Sequence, residues 1–469
     1  MQKESEFFGK KITVCGLGLH GGGVSTVRFF ARAGAKVTVT DLKTRDQLLP
    51  SLEKLVDFEN VEYILGHHRE KDFTDADMIV MSPAIPWTNS YIQLAMDHGI
   101  PVEMDSSLFL RLSSCPIIGV TGTKGKTTVS LLISRLLELS GEKVAQVGIG
   151  QVPVLDVLET IDTHSVCVFE LSSWRLSAFD KGKVHKSPHI SVFKNFFPDH
   201  LNYYTSMEAY LEDKKNIFRF QTENDWLILN HDDVVVKELS KESRARIVWF
   251  GFSRPKKGIS IGMEEDTLVY RDGDKSFRIV NVRDLHLSGD HNILNAMAAI
   301  GACVAYGVSL DNLKKNIPLL EGVPHRLEFV GEVDGVKFYN DTTATIPEAV
   351  ISALHSFTQP VILLAGGSNK GLHYEGFAKS ASHRTKDVIF LSGSATEDME
   401  MALKKIVGEE RKFQTVFSME EAVLEAYKKA SVGDIVLLSP GAASFGMFQD
   451  EFDRGNKFRQ AVKALHQRR

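Results

Sequence analysis

Val120-Thr121-Gly122-Thr123-Lys124-Gly125-Lys126-Thr127-Thr128 is the stretch on which the fold of this chain turns. It stands between a predicted strand, Ile117 to Val120, and a predicted helix, Thr127 to Ser140. In a strand–turn–helix of this composition, successive backbone N–H groups and the helix N-terminus cradle phosphate oxygens. Lys126 would reach the outer phosphates, and the Thr127 hydroxyl would hold Mg²⁺. Val120 occupies the place of the first Gly in the usual phosphate-loop pattern, so the match is partial. A glycine turn that only caps a helix would leave Gly-Lys-Thr-Thr without a reason.

Upstream lies a second turn of the same kind. Lys11 to Cys15 predicts a strand, Gly16-Leu17-Gly18-Leu19-His20-Gly21 a glycine turn, Val24 to Ala33 a helix, and Lys36 to Thr40 a strand ending at Asp41. This fits the dinucleotide fingerprint and predicts a Rossmann-like unit for a phosphorylated nucleotide. An NAD-dependent oxidoreductase is the alternative, but a dehydrogenase has no use for a second, lysine-bearing phosphate loop. Downstream, apolar runs at Val166 to Leu171, Ile190 to Phe193 and Trp226 to Leu229 predict strands, and Gly258 to Val282 predicts hairpin strands. Helices are expected over Met207 to Phe218 and Asn292 to Tyr306. Strands at Lys337 to Tyr339, Val361 to Leu364, Val388 to Leu391 and Ile435 to Leu438 then alternate with helices. Alternation of this kind predicts α/β layers with parallel sheets, in three domains over 1–108, 109–322 and 323–469.

Composition narrows the class. A chain of 469 residues exceeds what one core serves, and 43% apolar with 25% charged residues is ordinary for a folded protein. A net charge of −5 argues against a nucleic-acid partner. Cys15, Cys115, Cys167 and Cys303 show no paired metal spacing and read as buried reduced thiols. Met1 to Lys11 is charged and lacks the apolar core of a signal peptide. No apolar run reaches the ~18 residues of a bilayer span. A cytoplasmic location is expected.

Glu170 closes an apolar strand in Phe169-Glu170-Leu171-Ser172-Ser173, where a ligand for a hard cation would stand. Farther on come Asp199-His200-Leu201 and Tyr210 with Lys214. Taken in order with Gly122 to Thr128, these motifs resemble those of the Mur ligases. Gly289-Asp290-His291-Asn292 with Asn295-Ala296, Pro324-His325-Arg326 and Asn340-Asp341 continue the resemblance over nearly the whole chain. The Gly-Leu-Gly-Leu start, Leu437 to Phe445 and Arg454-Gly455-Asn456 resemble most the members that add D-glutamate to UDP-N-acetylmuramoyl-L-alanine.

The resemblance implies an N-terminal Rossmann-like domain, a central phosphate-loop ATPase domain and a C-terminal Rossmann-like domain. It implies activation of a carboxylate by ATP as an acyl phosphate, then attack by an amine, in a cytoplasmic step of peptidoglycan precursor synthesis. Gly122, Thr123, Lys124, Gly125, Lys126, Thr127, Thr128, Asn292, Asn295, Arg326 and Asp341 would bind ATP. Thr127, Glu170, His200 and Lys214 would serve two Mg²⁺ sites, with Lys214 carbamylated by CO₂. Lys126, Glu170, His200 and Lys214 would carry catalysis. The uridine diphosphate part would lie against Leu19, His20, Asp41, Lys43 and Ser82, and the amino acid against Thr345, Lys370, Ser444 and Phe445. A monomer without membrane or nucleic-acid partners is implied.

Three positions depart from the family pattern. Lys124 replaces a common Asn, Val147 to Gln151 lacks the Gly-Asn-Ile-Gly of many members, and Thr343 stands where several have Lys. These leave open a sensor that binds nucleotide without ligating. Retention of Lys126, Glu170, His200 and Lys214 together weighs against that.

Overall fold

The computed structural model describes residues 5–19, 21–149, 152–199, 203–253, 255, 257–285, 290–320, 324–369 and 372–467, without the side chains of Ser352 and His466. Among these residues the strands form three sheets. The first has the spatial order Val61–Leu65, Lys36–Asp41, Lys11–Cys15, Met78–Met81, Val102–Glu103, all parallel. The chain reverses direction across the sheet between Lys11–Cys15 and Met78–Met81, which places a crevice at their carboxyl ends.

Nine strands form the second sheet, with Ile117–Thr121 between Ile190–Phe193 and Ser165–Glu170. Helix Lys126–Leu139 covers it through Val129, Leu132, Ile133, Leu136 and Leu137, the i, i+3, i+4 spacing that puts apolar side chains on one face. The expected hairpin at 258–282 is a meander of Ile259–Glu264, Thr267–Asp272 and Lys275–Asn281, joined in parallel to Arg246–Phe250. The helix predicted over Met207 to Phe218 ends at Lys215.

These two sheets belong to one compact unit, residues 1–285 with 293–320, and share one apolar cluster. Trp87 Nε1 donates to Ser177 Oγ at 2.7 Å, and Arg28 pairs with Asp156 at 3.4 Å. The second unit, 286–292 with 321–469, holds the third sheet. Its order is Glu328–Val333, Val336–Asn340, Ile435–Leu438, Val361–Gly366, Thr385–Leu391, Gln414–Val416. Val361, Leu363 and Ala365 pack on one face, Ile362 and Leu364 on the other, as expected of a sheet covered on both sides. The edge strand Glu328–Val333 was not legible in the sequence, because Gly331 and a register shift between Phe329 and Gly331 break its alternation. Among the described residues no helix is long and apolar enough to cross a membrane.

Candidate active site

Asn195 braces the backbone N–H groups of the phosphate loop. Asn195 Oδ1 accepts from Thr123 N at 2.9 Å and Lys124 N at 3.0 Å, while its amide donates to Lys124 O at 3.1 Å. Thr123 N also lies 3.0 Å from Asn195 O, and Thr123 Oγ1 accepts from Phe197 N at 3.0 Å. Gly125 takes the left-handed conformation (φ 81°) as N-cap of the helix that begins at Lys126. Lys126 Nζ curls back to Gly122 O and Thr123 O, each at 3.2 Å. Thr127 and Thr128 follow in the first helical turn, half-buried. Lys124, the departure from the family pattern, is exposed and pairs with Asp199 at 3.3 Å.

Two further lysines lie beneath this loop. Lys214 is 1% exposed and donates to Gly122 O at 2.9 Å and Thr121 Oγ1 at 3.4 Å. Its ammonium sits 4.8 Å from the centre of the Tyr210 ring. Burial, with the Lys126 charge added, pushes the Lys214 amine well below the usual lysine range; Asp199 and Glu170 act in the opposite direction. Lys194 is 5% exposed and pushed down to about 8 by burial and then by Lys126. Glu170 ends strand Ser165–Glu170 next to Ile117–Thr121. The carboxylates that act on Lys214, Asp199 and Glu170, are oxygen donors of the type a hard divalent cation takes, although among the described residues no group of three or more His, Cys, Asp or Glu side chains is gathered to hold one. Asn295, buried on helix Asp290–Tyr306, faces Gly125, where a Cβ would lie 3.0 Å from its Oδ1.

The first glycine turn is braced differently. Asp41 Oδ2 accepts from Gly18 N at 3.1 Å and its Oδ1 from Lys43 N at 2.9 Å. Gly21 (φ 87°) caps helix Gly22–Arg32. Gly16 is required by close approach, since a Cβ there would lie 2.9 Å from Ser82 Cβ. A cavity of about 400 Å³ opens at this turn, lined by Gly16 to Leu19, Ser82, Asp105 and Arg175 among others. Arg175 pairs with Asp105 at 3.3 Å. Leu19 is half exposed at the cavity rim. His20, His200 and Lys370 lie outside the described residues.

In the second unit, three loops meet at the carboxyl ends of Val336–Asn340, Val361–Gly366 and Ile435–Leu438. Gly441 N donates to Ala344 O at 2.7 Å, and Ser368 N to Ala443 O at 2.8 Å. Arg454, fully buried, donates to Thr342 Oγ1 at 2.9 Å, Thr342 O at 2.8 Å and Ala442 O at 3.2 Å, which clamps two of the loops together. This brings Thr345, Ser444 and Phe445 into one loop cluster, with Ser444 buried and Phe445 exposed. Asp341 is buried, accepts from Ser439 Oγ at 2.9 Å and Leu327 N at 3.2 Å, and is pushed up to about 7 by burial. Arg326 acts against that rise, from between two residues of positive φ, His325 (67°) and Leu327 (43°). Backbone of this kind costs roughly 1–3 kcal/mol per residue and needs bracing. Thr343 Oγ1 supplies some, donating to His325 O at 2.9 Å, and Glu328 Oε2 accepts from His325 N at 2.8 Å.

The sequence alone assigns no role to Lys194, Asn195 or Arg175. The signals were a lysine directly after an apolar strand, an amide after it, and an arginine in the first turn after Ser172-Ser173.

Comparison with known proteins places this geometry in a family. The Mur ligase middle domain profile matches residues 120–303, the Mur ligase MurD-like N-terminal domain 10–103, and the Mur ligase glutamate ligase domain 325–441. The UDP-N-acetylmuramoylalanine–D-glutamate ligase of Roseiflexus sp. (strain RS-1) is 39% identical over 97% of this chain and 99% of its own length. That of Clostridioides difficile (strain 630) is 35% identical over 97% and 99%. Among solved structures, the UDP-N-acetylmuramate-alanine ligase of Thermotoga maritima shares the fold, with a TM-score of 0.54 at 18% identity over 97% of this chain and 100% of that one. The chain belongs to the Mur ligase family. It is an ATP-dependent ligase that forms amide bonds.

Proposed function

We propose that this chain joins the amine of D-glutamate to the terminal carboxyl of UDP-N-acetylmuramoyl-L-alanine, in the cytoplasm and as a monomer, during peptidoglycan precursor synthesis. The observation that carries the reading is a lysine-ringed phosphate loop within a chain that matches named D-glutamate-adding relatives end to end. The substrate carboxylate takes the γ-phosphoryl group of ATP and releases ADP. The glutamate amine then attacks the acyl phosphate, and the tetrahedral intermediate expels phosphate as the amine loses a proton. Lys126 and the loop N–H groups would stabilise the charge on the transferred phosphoryl oxygens.

Thr127, Glu170 and His200 would hold divalent cations, with a carbamate on Lys214 as a further oxygen donor. Bound there, the cations would neutralise crowded phosphate oxygens. Burial of the Lys214 amine supports the carbamate, because only the neutral amine adds CO₂. Asn292, Asn295, Arg326 and Asp341 would also bind ATP. The uridine diphosphate would lie against Leu19, His20, Asp41, Lys43 and Ser82, with the cavity at the first glycine turn beside it, where Arg175 is a cation. Thr345, Lys370, Ser444 and Phe445 would receive glutamate. Domains over 1–108, 109–322 and 323–469 divide these tasks.

The test is mass spectrometry of products from UDP-N-acetylmuramoyl-L-alanine, ATP and each amino acid in turn, with phosphate release measured in parallel. A product heavier by one glutamyl residue with the D-isomer is expected. Ligation of another amino acid in its place, or no ATP turnover with any of them, would sink the reading.

A further inference from the structure

Lys194 lies directly under the phosphate loop, and two glycines are shaped around it. A Cβ at Gly122 would stand 3.1 Å from Lys194 Cβ, and one at Gly125 would collide with Lys194 Nζ. The side chain therefore runs beneath the loop from its first glycine to the helix N-cap, and its ammonium ends at the point where Gly125 opens helix Lys126–Leu139. Lys194 is more than nine-tenths buried, and among the described residues no carboxylate pairs with its ammonium. Its charged neighbour is another cation, Lys126. Burying an unpaired ammonium beside a like charge costs free energy in the empty protein, and an anion at the helix N-terminus removes that cost.

We propose that Lys194 is a second phosphate-binding cation of the loop, contacting the polyphosphate of the bound nucleotide from the side of Gly125 while Lys126 reaches the outer phosphates. This rests on the phosphate-loop reading above. The two lysines divide the work by geometry. Lys126 projects from the first helical turn and folds back over the loop carbonyls, whereas Lys194 is fixed from below by the two glycines. Discrimination follows: Lys194 serves the ATP site and has no part in holding the uridine nucleotide.

Lys194→Met keeps the length of the buried stem and removes the charge. The dissociation constants for ADP and for UDP-N-acetylmuramoyl-L-alanine are measured by calorimetry with magnesium present, beside the melting temperature of the nucleotide-free protein. Loss of one buried charge contact predicts an ADP constant raised roughly 30-fold or more. The uridine substrate should bind as before, and the nucleotide-free variant should melt no lower than the unaltered protein. Unchanged ADP binding in Lys194→Met, with clear loss in Lys126→Ala, overturns the proposal and leaves the phosphate loop standing. Unchanged ADP binding in both overturns the loop as well. Loss of both ligands together with a lower melting temperature marks Lys194 as a packing residue and also overturns it. Acetic anhydride labelling of the unaltered protein with peptide mapping asks the same question without substitution. ADP should shield Lys194, and labelling that ADP leaves unchanged contradicts the assignment.

Discussion

The turn at Gly16–Gly21 and the loop at Gly122–Lys126 use the same backbone device: a parallel strand, a glycine-rich turn, and a left-handed glycine that caps the next helix. Each is braced by one side chain that accepts from two backbone N–H groups. In the first turn that side chain is a carboxylate, Asp41, and in the second a neutral carboxamide, Asn195. Nearby titrating groups are shifted mainly by burial, with a carboxylate as the second cause at one turn and a lysine at the other. Cys15, before the first turn, is pushed up to about 12 by burial and then by Asp41. Lys194, under the second, is pushed down to about 8 by burial and then by Lys126. The backbone device is shared, and the charge of the bracing side chain is what differs.

That contrast can be broken by exchanging its parts. The largest effect should come from Lys126→Ala, where a preorganised cation is lost at developing charge; turnover should fall by about 10²–10³ in a folded protein. Turnover within tenfold of the unaltered enzyme would mean that the loop does not hold the reacting phosphates. Next, Asn195→Asp keeps an acceptor for Thr123 N and Lys124 N but gives the ATP cradle the carboxylate of the other turn. Like-charge contact costs several kcal/mol, so KM for ATP should rise about 100-fold while KM for the uridine substrate stays. Equal shifts in both constants would refute a local electrostatic role for the amide.

Asp41→Asn is the reverse exchange. One of the two N–H groups, on Gly18 or Lys43, loses its acceptor, at about 1–2 kcal/mol. KM for the uridine substrate should rise about tenfold with KM for ATP unchanged. An unaltered KM would show that Asp41 braces nothing the ligand needs.

The smallest expected effect is a pH slope. Lys194 has a folded value of about 8 against an ordinary 10.5, so the unfolded chain binds its proton more tightly. Its contribution to stability is present above about 10.5 and is lost as pH falls through about 8. Denaturant midpoints of the nucleotide-free protein between pH 8 and 10 should rise with pH, and Lys194→Met should flatten part of that rise. An identical slope in the variant would place the ammonium in water.

Much of the first two domains was legible because both turns announce themselves locally, as glycines between an apolar strand and a helix. Thr127, Glu170 and Lys214 came from the same local grammar extended by family resemblance. Lys194 did not. A lysine after the strand Ile190–Phe193 reads as a solvated strand end, and its burial depends on Gly122 and Gly125 lying over it. Arg454 is legible as part of a motif, yet its task of clamping Thr342 to Ala442 requires a residue 112 positions away. Thr343 looked like a missing cation, and in the fold its hydroxyl braces the backbone around Arg326.

What the sequence determined by itself was the periodic part: where apolar runs form strands, where glycines turn them into helices, and which turn carries Gly-Lys-Thr. Hydrogen bonding and chain stiffness between near neighbours decide those features. The tertiary structure alone decided which charged groups stand beside each turn. Their shifts depend on which charges lose their water together, and the groups concerned meet only when the sheet brings Asn195 to Thr123, 72 positions apart. Desolvation is a property of what surrounds a group in space, and no local stretch of chain contains that information.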